Sequence, residues 1–258
     1  MVLRRNLIRG VTIERVPMIR AVLFDYGGTL VRPRRPWEEV KPAAVAAPYA
    51  LLLRQGLKEP YPEYLALNDS VFDKYSALEK QTDSDVPDIV KYREIIDALF
   101  PSRGKGWRER VAGEANDAFW DFATANYILQ KGARRCLARL KSMKLRLAVV
   151  SNHHNREALA NHLIRLDIKS YFARVLVSSR VGCRKPERKI FAMCLSSLRV
   201  RPSEAVFVGD SIPYDIEGAK AAGMTTVLIG KDDGLDERGR PDYTVVSLAE
   251  LPKIVSSL

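Results

Sequence analysis

Cysteine is scarce in this sequence and has no partner pattern. Cys136, Cys183 and Cys194 form no CxxC pair and no Cys/His cluster at zinc spacing. An odd count without framework spacing argues against a disulfide scaffold and a structural zinc site, and it fits a reducing cytoplasm. The three thiols read as small core residues. Long apolar runs are missing too. The longest, residues 43–53, is broken by Pro48. A membrane span takes about 18 or more apolar residues, so none is expected. The opening MVLRRNLIRGVTIERVPMIR is basic but has no apolar h-region, which argues against a signal peptide. Residues 1–18 are expected to be a loosely ordered extension, or Met18 the start; the arginines leave an organelle-targeting role open. There is no internal repeat and no low-complexity segment. Gly27-Gly28 is not the GxGxxG of a dinucleotide site.

What is there is an ordinary globular composition: 258 residues, 47% hydrophobic and 28% charged. That excludes wholesale disorder and suits one large domain or two modest ones. The net charge of +11 is unevenly spread. Residues 33–130 hold 13 basic and 16 acidic residues, a net of −3, and the remainder holds 29 and 15, a net of +14. A positive field can steer phosphate esters or attract nucleic acid, and it also serves plain solubility. Charge alone does not choose among these.

Five short Val/Leu-rich runs read as buried parallel strands: residues 20–25, 145–150, 174–177, 205–208 and 225–229. Helical patterns lie between them at 133–143, 156–166 and 187–198. This alternation predicts an α/β fold with a central, mostly parallel sheet. Residues 33–130 differ. They hold no convincing strand and 13 of the 21 aromatics. Val45, Tyr49, Leu52 and Leu53 recur at helical spacing, with Pro48 shifting the helix start. Ile89, Tyr92, Ile96 and Leu99 do so after Pro87, a proline placed to open a helix. This stretch reads as a separate bundle of about four helices, its aromatics mostly core.

In a parallel α/β sheet, function sits outside the carboxyl ends of the strands. Asp25 and Thr29 follow the first run, and Ser151 and Asn152 the second. Lys185 lies in the loop after the third, and Asp210, Ser211 and Asp215 follow the fourth. Two hard carboxylates, Asp25 and Asp210, suit magnesium. A carboxylate can also attack phosphorus. Backbone N–H groups of Gly27-Gly28-Thr29 can cradle phosphate oxygens. Ser151 can bond one such oxygen, and Lys185 can offset developing charge.

FDYGGTL (24–30), VVSN (149–152), RKPE (184–187) and VGDSIPYD (208–215) resemble, in order, the four motifs of the haloacid dehalogenase-like hydrolases. The tail PDYTVVSLAELP (241–252) resembles the ending of their phosphatase branch. The resemblance covers about residues 20–30 and 130–252. It implies a Rossmann-like core of residues 19–32 and 130–258, with an α-helical cap, residues 33–129, inserted between motifs one and two. It implies Asp25 as nucleophile, with Ser151 and Lys185 also catalytic. Gly27, Gly28, Thr29, Ser151, Asn152 and Lys185 would bind phosphate. Mg2+ would be held by Asp25, the Gly27 carbonyl, Asp210 and Asp215, the last directly or through water or Lys185. The expected protein is a cytoplasmic phosphatase of a small phosphorylated metabolite, binding neither membrane nor nucleic acid.

One departure stands out. The phosphatases usually read D-x-D at motif one, and here Gly27 replaces the second aspartate, the general acid. Such a group is typically worth about 10²–10⁴-fold. Three explanations are open: a slow enzyme or one for good leaving groups such as acyl phosphates; a substitute acid, His153 or His154 among them; or a reaction needing no acid. The dehalogenase branch lacks Gly209-Asp210 and needs no metal, so it fits poorly. A phosphonate hydrolase would need a cap lysine, drawn from Lys41, Lys58, Lys74, Lys80 and Lys91. A non-catalytic binding protein is a further alternative. His153 and His154 read more readily as surface or helix-start residues, and His162 as structural. Residues 103–110, basic around Trp107, carry a minor nucleic-acid reading.

Overall fold

A computed structural model describes residues 18–230 and 240–258. The extension expected at 1–18 therefore lies, apart from Met18, outside the described residues. The described chain opens with β1 (Ala21–Phe24) and β2 (Val31–Pro33). It passes through α1 (Trp37–Arg54), α2 (Tyr61–Thr82), α3 (Asp88–Leu99) and α4 (Lys105–Ala125) and returns through β3 (Tyr127–Leu129). Helices and strands then alternate: α5 (Ala133–Ser142), β4 (Arg146–Ser151), α6 (Arg156–Arg165), β5 (Phe172–Val177), α7 (Ser178–Val181), α8 (Arg188–Leu198), β6 (Ala205–Gly209), α9 (Glu217–Ala221), β7 (Thr225–Ile229), β8 (Tyr243–Val245) and α10 (Leu251–Ser256).

Six strands form one parallel sheet in the order β5-β4-β1-β6-β7-β8. This is the expected α/β class. Alternate residues of each strand serve opposite faces. Val22, Phe24, Val149 and Val208 pack under α5, α6 and α10, while Leu23, Val150 and Phe207 pack under α8 and α9. Both faces are covered, so the strands read as continuous apolar runs. The three cysteines are free and buried, as expected of small core residues. No helix among the described residues is long and apolar enough to cross a membrane.

The helices α1–α4 share their own apolar core, built around Leu52, Tyr64, Tyr92, Ile96 and Val111. A two-stranded antiparallel ribbon, β2 with β3, carries the chain into and out of them. Three expectations need correction here. β3 falls in the stretch read as strandless; its three residues are only half-buried and leave no apolar run to detect. The edge strand β8 also departs from expectation, because only Val245 of its three residues is buried. The first helix runs through Pro42 and Pro48 rather than starting at the latter. Its buried stripe is Val40, Ala44, Val45, Pro48 and Leu52, with Leu53 facing out. A proline forfeits one hydrogen bond, and α1 packs extensively against α4.

The two layers meet at a polar seam. Arg165 of α6 bonds Asp121 at 2.9 Å and also Thr124 of α4. Asp85, in the α2–α3 loop, pairs with Arg184 at 3.0 Å and accepts from Ser178.

Candidate active site

The carboxyl ends of β1, β4 and β6, adjacent in the sheet, bring Asp25, Ser151 and Asp210 to one edge. Lys185 joins them from the loop before α8. Its Nζ lies 2.6 Å from Asp25 Oδ1 and 2.5 Å from Asp215 Oδ1. Lys185 is 2% exposed and Asp215 1% exposed, so both ends of this pair are interior. Asp215 lies in a π-helical turn, Ile212–Ile216. Its Oδ2 accepts from the N–H groups of Asp210 at 3.2 Å and Ser211 at 3.0 Å. Both of its oxygens thus brace neighbouring parts of the site.

Glycine is required at two points. Gly28 has φ +82, and a Cβ there would stand 2.1 Å from Asp210 Oδ2. A Cβ on Gly209 would stand 2.4 Å from Asp215. Thr29 Oγ1 donates to Asp210 Oδ1 at 2.9 Å. Gly28 N–H donates to the Val31 carbonyl at 2.8 Å. Gly28 and Thr29 therefore hold the turn and Asp210 together, and the expected phosphate cradle loses the Gly28 N–H to the turn itself. Asn152 is likewise engaged within the protein. Its amide donates to the Lys185 carbonyl at 2.9 Å and accepts from the Lys185 N–H at 2.8 Å. It locks the Lys185 backbone, and it also borders the cavity.

Burial pushes the Asp25 carboxyl above the usual carboxylate range; Lys185 pulls it down and Asp215 pushes it further up. Asp210 is raised as well, mainly by burial, against its bond from Thr29. Burial acts to lower the Lys185 ammonium, and the flanking carboxylates outweigh it. One oxygen each of Asp25, Asp210 and Asp215 falls within 4.8 Å of the others. Three carboxylates against one buried ammonium leave excess negative charge on hard oxygen donors. That donor set fits a divalent cation such as Mg2+.

The cavity over these groups holds about 310 Å3. Asp25, Gly27, Ser151 and Lys185 line it from the sheet side, and Trp120 and Thr124 of α4 and Tyr127 of β3 line it from the other. A Cβ on Gly27 would meet nothing within 4 Å, so the position faces open space. Sequence reasoning missed Trp120, Thr124 and Tyr127, whose only signal was the aromatic density of 33–130, read there as core, and Tyr214, which carried none. His153 is a correction. Rather than lying on the surface, it is buried, its ring 4.3 Å from that of Trp120. Its Nδ1 accepts from the Asn155 N–H at 3.0 Å, and burial lowers it to about 3. It is a neutral ring and a poor proton donor. His162 is structural as expected, buried and paired with the Tyr26 hydroxyl behind Asp25.

Comparison with known proteins shows the family. Residues 19–223 match the haloacid dehalogenase-like hydrolase family. A glyceraldehyde 3-phosphate phosphatase of Methanopyrus kandleri is 30% identical over 93% of this chain and 99% of that protein. A phosphoserine phosphatase of Thermus thermophilus is 29% identical over 93% of each. The crystal structure of a 2-haloacid dehalogenase from Pseudomonas syringae pv. Tomato DC3000 superposes with a TM-score of 0.70 at 22% identity, covering 93% of this chain and 99% of that one, a likeness of fold. With its sheet, its four strand-end motifs and this match over most of its length, the chain belongs to the haloacid dehalogenase-like hydrolases.

Proposed function

We propose that this hydrolase is a phosphatase of a small phosphorylated metabolite, working through an aspartyl-phosphate on Asp25. The observation that carries the reading is the buried chain Asp25–Lys185–Asp215, with Asp210 beside it, in a cavity that Trp120 and Thr124 of α4 also line. The names of the two relatives, each a phosphatase of a small phosphate monoester, support it.

Lys185 occupies Asp25 Oδ1, leaving Oδ2 to attack phosphorus. The new Oδ2–P bond forms as the ester P–O bond breaks, and the departing oxygen takes a proton from water. Water then attacks phosphorus, phosphate leaves, and Asp25 is restored. Ser151 holds a phosphoryl oxygen, and the Lys185 ammonium offsets its charge. Asp25, Asp210 and the Gly27 carbonyl would hold Mg2+, with Asp215 bracing the set. Bound there, the ion supplies charge neutralisation at the phosphoryl oxygens. Residues 33–129 act as a cap on a core of 19–32 and 130–258, opening for substrate and excluding water when closed. With Gly27 bare and His153 neutral, good leaving groups such as acyl phosphates turn over fastest.

The other readings draw less support. None of Lys41, Lys58, Lys74, Lys80 and Lys91 borders the active-site cavity, and Lys91 is paired with two carboxylates. In the 103–110 segment, Arg108 pairs with Asp97 and Arg110 with Glu114, which spends much of its charge internally. A reducing cytoplasm suits the three free cysteines.

Phosphate release from para-nitrophenyl phosphate and acetyl phosphate, with and without Mg2+, tests the reading. Mg2+-dependent release that vanishes in Asp25→Asn is expected. Release that survives the substitution, or none from folded wild-type protein, overturns it.

A further inference from the structure

Resting on the phosphatase reading, we propose that Asp85 is a positioning residue. Carried by the helical unit, its carboxylate fixes the two core loops that hold Ser151 and Lys185. The site is therefore fully assembled only under the docked helices.

Asp85 lies in the loop between α2 and α3, residues 83–87. Asp83 in the same loop is exposed, whereas Asp85 is only 7% exposed. A carboxylate on a short polar loop stays in water unless partners offset its desolvation. Here each oxygen meets a different segment of the core. Oδ1 lies 3.0 Å from Arg184 Nη1, the ion pair of that guanidinium among the described residues. The other oxygen, Oδ2, accepts from the Ser178 hydroxyl. The pair Arg165–Asp121 joins the same two layers through exposed side chains, and such pairs contribute little.

Both contacts of Asp85 stand one step from the reacting groups. Arg184 is the chain neighbour of Lys185, and its guanidinium lies 5.9 Å from the centre of the Tyr214 ring, which borders the active-site cavity. Ser178 Oγ donates to Asp85 and accepts from the His153 N–H at 3.0 Å. His153 borders the same cavity, two residues past Ser151. Between them, Asn152 joins the two loops through its paired bonds to the Lys185 backbone. Asp85 thus grips both loops at the residues that flank this joint. Two more bonds stitch its own segment down. His154 Nδ1 lies 3.2 Å from the Val86 carbonyl oxygen, and the Asp88 N–H donates to the His154 carbonyl at 3.2 Å. Hydrogen bonds to an ionised carboxylate are shorter and stronger than neutral ones. Withdrawing the helices takes that acceptor from Ser178 and Arg184 together, and the two loops lose a shared anchor.

Two measurements test this. The first is steady-state kinetics on para-nitrophenyl phosphate at saturating Mg2+, for wild type, Asp85→Asn, Arg184→Gln and the double variant. Loosened loops misplace Ser151 and the Lys185 ammonium in the transition state. In each single variant kcat should fall by roughly 10–100-fold, with KM within about threefold of wild type. The double variant should fall no further, because both changes break one pair. Arg184 is the more exposed partner, so its variant keeps the test open if Asp85→Asn does not fold. A raised KM with kcat unchanged overturns the proposal, as does a lower melting point with kcat unchanged.

The second measurement needs no turnover. Amide hydrogen exchange at His153 and Lys185 should quicken by about tenfold or more in either variant, with Leu23 and Phe207 of the sheet unchanged. Unchanged protection at His153 and Lys185, or an equal loss in the sheet, overturns the proposal. Faster exchange in these loops with no phosphate released by the wild type removes the phosphatase reading and keeps Asp85 as their anchor. Phosphate release equal to wild type in both variants removes the role of Asp85 and keeps the reading.

Discussion

Gly28 and Asp210 occupy each other's side-chain space: a Cβ on the glycine would stand 2.1 Å from Asp210 Oδ2. The first motif can present its turn to the fourth only because that position is bare. The left-handed φ of +82 adds a backbone reason for the same residue.

Gly28→Ala should therefore displace Asp210 while leaving Asp25 in place. The Mg2+ concentration for half-maximal phosphate release should rise by roughly 10–100-fold, and the fold should lose about 1–3 kcal/mol from backbone strain. A metal titration and a thermal melt measure the two effects separately.

Gly27 is the opposite case, since a Cβ there meets nothing within 4 Å. Gly27→Asp should fold normally and supply the absent acid. Hydrolysis of alkyl phosphates should rise by up to about 10²–10⁴-fold, with little change for acetyl phosphate, whose leaving group needs no proton. Comparing the two substrates in one preparation checks this; a fall on both would show that the bare glycine is itself required.

Lys185→Met removes the ammonium shared by Asp25 and Asp215. Two buried carboxylates are then left facing each other, at a cost of about 3–5 kcal/mol. Phosphate release should disappear and the denaturation midpoint should fall. A melting point equal to wild type would mean the ion chain is not buried as described.

His153 and His162 set a pH dependence of stability. Burial, reinforced by His154, lowers His153 to about 3, and burial, reinforced by Arg165, lowers His162 to about 4. In the unfolded chain both titrate near ~6.5. Below that pH the unfolded state binds more protons than the folded one, so stability falls as pH drops. Each histidine contributes a slope of up to about 1.4 kcal/mol per pH unit. Urea denaturation from pH 7 to pH 4.5 measures the slope, and His153→Phe should remove its share.

Much of the fold and of the site was legible in the residues. The five principal strands are short apolar runs whose pattern is local, and the groups that end them are polar by position. The strands missed, β2, β3 and β8, are three residues long and mostly unburied, too little for any pattern to form. Asn152 and Thr29 stood out as site residues, yet their partners, the Lys185 backbone and Asp210, lie 33 and 181 residues away in the chain. No local spacing encodes such pairings.

The sequence by itself determined the α/β sheet, the chain order of its strand-end groups and the replacement of an aspartate by Gly27, because each is carried by neighbouring residues and the period of their burial. Tertiary structure alone decided which groups touch. It buried Lys185 between two carboxylates, seated Asp210 over Gly28 and turned His153 inward against Trp120. These are contacts between segments distant along the chain, and they exist only once the sheet and the four helices have packed.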